Sequence, residues 1–173
     1  FAWVEWHWIA GLVLTGAIVY HIIHATFFLD FWSIWVGPKD IPEFKAEMMR
    51  ELGHDVPGPK SGKYPLGNRL YHLAILVVGM TAAISGIMMM SRVRQPLFTR
   101  NPYVFADTTW GFTYVAHGVA GVALVGLVIA HVYFAVRPEK WWITKSMILG
   151  WVSRRNYLEH HDPARWKVRS GRV

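Results

Sequence analysis

Four histidines in two matched pairs are the residues whose type and spacing could do chemistry. His7 and His21 bound HWIAGLVLTGAIVYH, and His117 and His131 bound HGVAGVALVGLVIAH. The second stretch repeats the first at an offset of 110 residues, with Ala10/Ala120, Gly11/Gly121, Leu14/Leu124 and Gly16/Gly126 also identical. Between the first two histidines the polar groups are Thr15, Tyr20 and the indole N–H of Trp8. A neutral imidazole is a metal ligand through either ring nitrogen. Two facing imidazoles complete both axial positions of a haem iron. The pattern therefore points to two b haems, each held by one histidine from each repeat.

The elements that must position them are helices. At 100° per residue, with the first histidine at 0°, the second falls at about −40°, on the same face. Ala10, Gly11 and Leu14 fall at about −60°, +40° and −20°, and only Gly16 lies behind this arc. A repeat confined to one face marks a shared object there, beyond shared hydrophobicity. The rise between the histidines is about 21 Å, roughly two-thirds of a bilayer core. Each helix thus carries one imidazole towards each membrane surface, and two such helices side by side pair His7 with His117 and His21 with His131. Gly11 and Gly121, one turn from their histidines, let a flat macrocycle approach the backbone. Ionisable groups inside a membrane are costly and are usually functional. The competing reading from a different class is a histidine-lined proton or metal-ion transporter. A Zn or Mn path is expected to carry carboxylates beside the histidines, and neither repeat contains one. A purely structural anchor has no need of matched histidines.

Composition agrees with a membrane protein. Of the 173 residues, 53% are apolar and 17% charged, which suits an all-α transmembrane bundle better than a soluble domain. One domain over 1–173 is expected. The absence of cysteine excludes disulfides, thiolate Fe–S ligation and covalent haem attachment through C-x-x-C-H. The net charge of +7 lies at the ends of apolar spans, so membrane topology explains it and nucleic acid is not expected as a partner. Three spans are expected, at 3–36, 66–90 and 111–136. The chain opens on Phe1, not Met, already in apolar sequence, so an N-terminal piece is expected ahead of it.

Trp3, Trp6 and Trp8 read as an interfacial aromatic belt, and Gly37-Pro38 ends the first helix. Residues 37–65 form a polar loop with a short surface helix over 41–52. Gly79, Ala82, Ala83, Ser85 and Gly86 suit close helix packing in the second span. Met88, Met89 and Met90 read as packing material. Residues 139–152, with three tryptophans, are too short and too charged to span and read as an interfacial helix. The tail that follows is basic and is expected to contact a partner or lipid headgroups. Fifteen Lys and Arg lie in the first loop, at Arg69 and after the third span, against three in the second loop. The first loop and the tail are therefore expected in the cytoplasm of a bacterial inner membrane.

Four stretches resemble one family. Lys39–Pro42 (KDIP), Gly62–Arg69 (GKYPLGNR), His117-x3-Gly121-x9-His131, and the tail pieces VSRR (Val152–Arg155), His160–His161 and Pro163–Trp166 are similar to the cytochrome b (gamma) subunit of membrane-bound formate dehydrogenases. More loosely they are similar to the b-type cytochromes of nickel–iron hydrogenases. The resemblance implies an electron-transfer subunit with two b haems. It receives electrons from an extracytoplasmic iron–sulfur subunit and its catalytic subunit, and it reduces menaquinone or ubiquinone near the cytoplasmic face. A hydrogenase or another respiratory reductase is the alternative partner. The family has four membrane helices, and its cytoplasmic-side haem takes a ligand from the first. Here His21 can supply that ligand, in the manner of the four-histidine cytochrome b of respiratory bc complexes, or a histidine on a preceding helix can. Tyr64, Gly67 and Asn68 are quinone-site candidates by resemblance, with Pro65 standing where the family has Asn. His24 and His72 lie at the same end, where they could bind quinone, relay protons, ligate haem or simply sit hydrogen-bonded at the interface.

Overall fold

The computed structural model describes residues 2–167. Six α-helices follow in order: α1 Trp3–Phe28, α2 Ile41–Glu51, α3 Leu66–Met90, α4 Asp107–Val136, α5 Trp141–Leu149 and α6 Arg154–His160. There is no strand among the described residues, only an isolated parallel bridge between Ser61 and His161. The protein is all-α. Helices α1, α3 and α4 are long and apolar enough to cross a membrane, and the protein itself covers little of their surface. That exposed apolar surface is what lipid, cofactor and partner helices cover in a membrane protein.

Two expected boundaries move. The first helix ends at Phe28, not at residue 36, and Leu29 is extended. Phe27–Val36 mixes aromatic residues with Asp30 and Ser33, which hold a helix poorly once the bilayer core has been crossed. The third span opens at Asp107, four residues before the expected 111. Asp107, Thr108 and Thr109 are a polar first turn, and the carboxylate complements the exposed N–H groups and dipole there. The second span, Leu66–Met90, lies where the apolar pattern puts it. The interfacial segment splits into a short 3-10 turn, α5, and a stop at Gly150 with φ +76. A left-handed C-cap of this kind suits glycine.

The chain forms two compact units. The first comprises the chain up to Phe31 and Ala74–Val128. There α1, the larger part of α3 and most of α4 pack on small residues. A Cβ on Gly79 would lie 3.6 Å from Ile18 Cδ1, and one on Gly86 only 3.2 Å from His117 Cε1. The hydroxyls of Thr15, Thr81 and Thr113 each donate to the carbonyl four residues back, so no hydroxyl proton is wasted in hydrocarbon. The loop before α4 closes on it: Trp110 Nε1 donates to Pro102 O, and the Arg92 guanidinium lies 4.4 Å from the Trp110 ring centre.

The second unit comprises Trp32–Leu73 and the chain from Ile129 on. The tail folds back on the first loop. Asp162 N donates to Ser61 O, Lys60 Nζ to Leu158 O, and the buried His161 pairs through Nδ1 with Gly62 O at 2.6 Å. The basic tail expected to contact a partner or lipid headgroups also includes residues 168–173, which lie outside the described residues.

Candidate functional site

His7 lies in the second turn of α1 and His117 in the third turn of α4, and the structure brings them together within the first unit. Their ring centres are 5.9 Å apart and the planes are nearly perpendicular, at 86°. His117 is held from behind by α3. Its Nδ1 is 2.9 Å from Ser85 Oγ, and its Cε1 lies against Gly86. Ser85 is 5% exposed and His117 half-buried, so the contact is largely shielded from water. A side chain on residue 86 would force the imidazole to move, which is why a glycine stands there.

The arrangement fits a bis-imidazole haem site. Two imidazoles on opposite sides of one metal, at metal–nitrogen distances of roughly 2.0 Å, have ring centres about 6 Å apart. A Cβ on Gly11 or Gly121 would meet nothing within 4 Å, so both helices leave room beside the histidines. Next to His7, the Trp8 indole N–H is buried without an acceptor. It is a donor available to a bound polar group.

The other pair divides between the units. His21 is exposed on α1, and His131 is stacked on Tyr71 with ring centres 5.3 Å apart. Tyr71 is a neighbour that periodicity alone did not single out. Tyr64 is half-buried with Lys63 Nζ 5.3 Å from its ring centre. Gly67 and Asn68 are exposed in the first turn of α3 and His72 follows one turn later. Asn68 and His72 thus stand on one face of that helix. His24 stacks between Tyr20 and Phe28, which favours a packing role over ligation. His54 is exposed.

Sequence reading missed an ionic cluster in the second unit. Arg69, 6% exposed, donates through Nη1 to Asp40 Oδ2 at 2.8 Å and to Trp35 O, and its Nη2 lies 3.6 Å from Glu43 Oε2. Arg165 reaches the same two carboxylates, at 3.2 Å and 3.0 Å. Glu43 Oε1 also accepts from Ser61 Oγ and from the Leu66 N–H that opens α3. The Arg69 hydrogen bond holds the Asp40 carboxyl below its ordinary value, helped by the Gly37 N–H and opposed by burial. His160, stacked on Trp142 at 4.7 Å, has its pKa lowered by burial. The available signal was four charges flanking otherwise apolar spans, but nothing local pairs them.

Comparison with known proteins gives the same direction. The cytochrome b556(fdo) subunits of formate dehydrogenase from Escherichia coli K12, O6:H1 and O157:H7 are each 24% identical over 152 residues. The match covers 84% of this chain and 64% of each relative, so the chain spans under two-thirds of their length. Residues 1–150 match the family described as prokaryotic cytochrome b561. With membrane-length apolar helices and a facing imidazole pair on two of them, the chain belongs to the prokaryotic cytochrome b561 family and is a membrane b-type cytochrome.

Proposed function

We propose that the chain is the membrane-anchoring dihaem cytochrome subunit of a respiratory oxidoreductase. In this reading it carries electrons between an extracytoplasmic iron–sulfur partner, of the formate dehydrogenase kind, and the quinone pool. The facing of His7 and His117 at 5.9 Å is the observation that carries it. His7 and His117 would hold the haem towards the outer surface, and His21 and His131 the one towards the cytoplasm. Haem b supplies a one-electron carrier whose potential is tuned by axial ligands, burial and hydrogen bonding. The protein's part is to fix the imidazoles and to keep water out. At the cytoplasmic end, Tyr64, Gly67, Asn68 and His72 are the candidates for binding menaquinone or ubiquinone and delivering protons to it. The positive-inside bias of the first loop and tail supports that orientation. The name of the E. coli relatives supports the formate-dehydrogenase-like partner.

The deciding experiment is a pyridine-haemochrome assay with a reduced-minus-oxidised spectrum on the purified chain in its complex. Two b haems per chain are expected. One haem would remove His21 from the ligand set, and a colourless protein would discard the reading in favour of proton transport.

A further inference from the structure

Ser85 makes two short contacts with one hydroxyl proton. Its Oγ lies within hydrogen-bond distance of the Thr81 carbonyl, four residues back on α3, and 2.9 Å from His117 Nδ1. A carbonyl oxygen only accepts, so the contact with Thr81 O requires the serine proton. If that proton turned towards Nδ1 instead, two oxygens would face each other with no hydrogen between them. Both contacts are satisfied in one assignment: Ser85 donates to Thr81 O and accepts from His117 Nδ1–H. The proton is then on Nδ1, and Nε2 keeps its lone pair. Donation to the carbonyl also polarises the hydroxyl and makes its oxygen a better acceptor.

On the dihaem reading above, we propose that Ser85 is the positioning residue for His117, fixing the Nδ1–H tautomer, offering Nε2 to iron and lowering the potential of that haem. Ligating histidines generally pass their second N–H to an acceptor, which orients the ring and raises its basicity. A more basic imidazole favours the ferric form. The acceptor here is a serine hydroxyl on the neighbouring helix, where a carboxylate would be far costlier to bury. The Cβ-free Gly86 beside it keeps the imidazole within reach of that hydroxyl.

The test is a redox titration of the haem-loaded complex, following each haem's visible band, with Ser85→Ala, Ser85→Thr and His117→Ala. Ser85→Ala is expected to weaken haem binding at this position about tenfold and to raise its midpoint potential. The second haem should keep its potential. Ser85→Thr keeps a hydroxyl that bonds the same carbonyl and should restore wild-type behaviour. Wild-type haem content and potential in Ser85→Ala would overturn the proposal, as would a shift shared equally by both haems. If His117→Ala loses a haem while Ser85→Ala behaves as wild type, only the role of Ser85 fails. If His117→Ala keeps both haems, His117 is not a ligand and the proposal fails with that assignment, while the haem count still stands.

Discussion

His117→Ala is expected to abolish one haem and leave the helical fold and the other haem in place. Loss of a hydrogen-bonded neighbour of a metal ligand typically costs 10–100-fold in affinity, on the order of 1.4–3 kcal/mol. Loss of the ligand itself exceeds that, so the haem is not retained through purification. The structural cost is smaller. His117 is half-buried and contributes one hydrogen bond to Ser85, worth about 1 kcal/mol. His7→Ala should have the same spectral effect from the other side, because α1 supplies the facing ring. His24→Ala is the control: its ring packs between Tyr20 and Phe28, and both haem signals should survive. The readouts are haem per chain and helical circular dichroism. Retention of both haem signals in His117→Ala and His7→Ala would sink the ligand assignment.

The second large effect is expected from Arg69→Met, a change of similar length that removes the charge. It leaves Asp40 and Glu43, 6% and 4% exposed, sharing Arg165 as their remaining guanidinium. Removing one partner of a buried ion pair typically costs about 3–5 kcal/mol, because the stranded charge has lost its water as well as its partner. The second unit should loosen, and trypsin should cut the first loop at Lys60 and Lys63 faster than in wild type. Arg69→Lys should rescue only partly, since one ammonium cannot reproduce the planar fork that reaches Trp35 O, Asp40 and Glu43. The pH dependence separates this from general damage. In wild type, Asp40 has its pKa lowered in the fold. Its contribution is therefore complete above the ordinary aspartate range and is lost as pH falls through the depressed value. In Arg69→Met, Asp40 loses the hydrogen bond that lowers its pKa while the burial that raises it remains, so acid should narrow the gap to wild type. A protease-sensitivity gap that is constant from neutral to acid pH would count against the stranded-charge explanation.

Much of the fold follows from local pattern. Apolar runs of membrane length predicted all three long helices, and one of them, Leu66–Met90, ends where expected. The short loop helix, Ile41–Glu51, follows from Pro42 in its first turn and the punctuation around it. Boundaries moved where polar and aromatic residues extend a span or compete with it, at Phe28 and Asp107. There, bilayer thickness and end capping outweigh hydropathy. Of the site, the juxtaposition of His7 and His117 was legible because a helix has a fixed angular period. Two copies of one face, 110 residues apart, imply a common object between them.

What the sequence by itself determined, then, is the class of protein and which imidazoles share a face. Both depend on periodicity, which is written into the spacing of neighbouring residues. Only the tertiary structure decided what stands behind those imidazoles and what locks the polar ends. Ser85 meets His117 from 32 residues away, and Arg165 meets Glu43 and Asp40 from 122 and 125. Before folding, Ser85 is one of several small residues on α3, and Arg165 is one of many basic residues in the tail. Pairings of that kind carry no period. They are selected only when helices approach closely enough to exclude water, because a polar group buried there must find its partner.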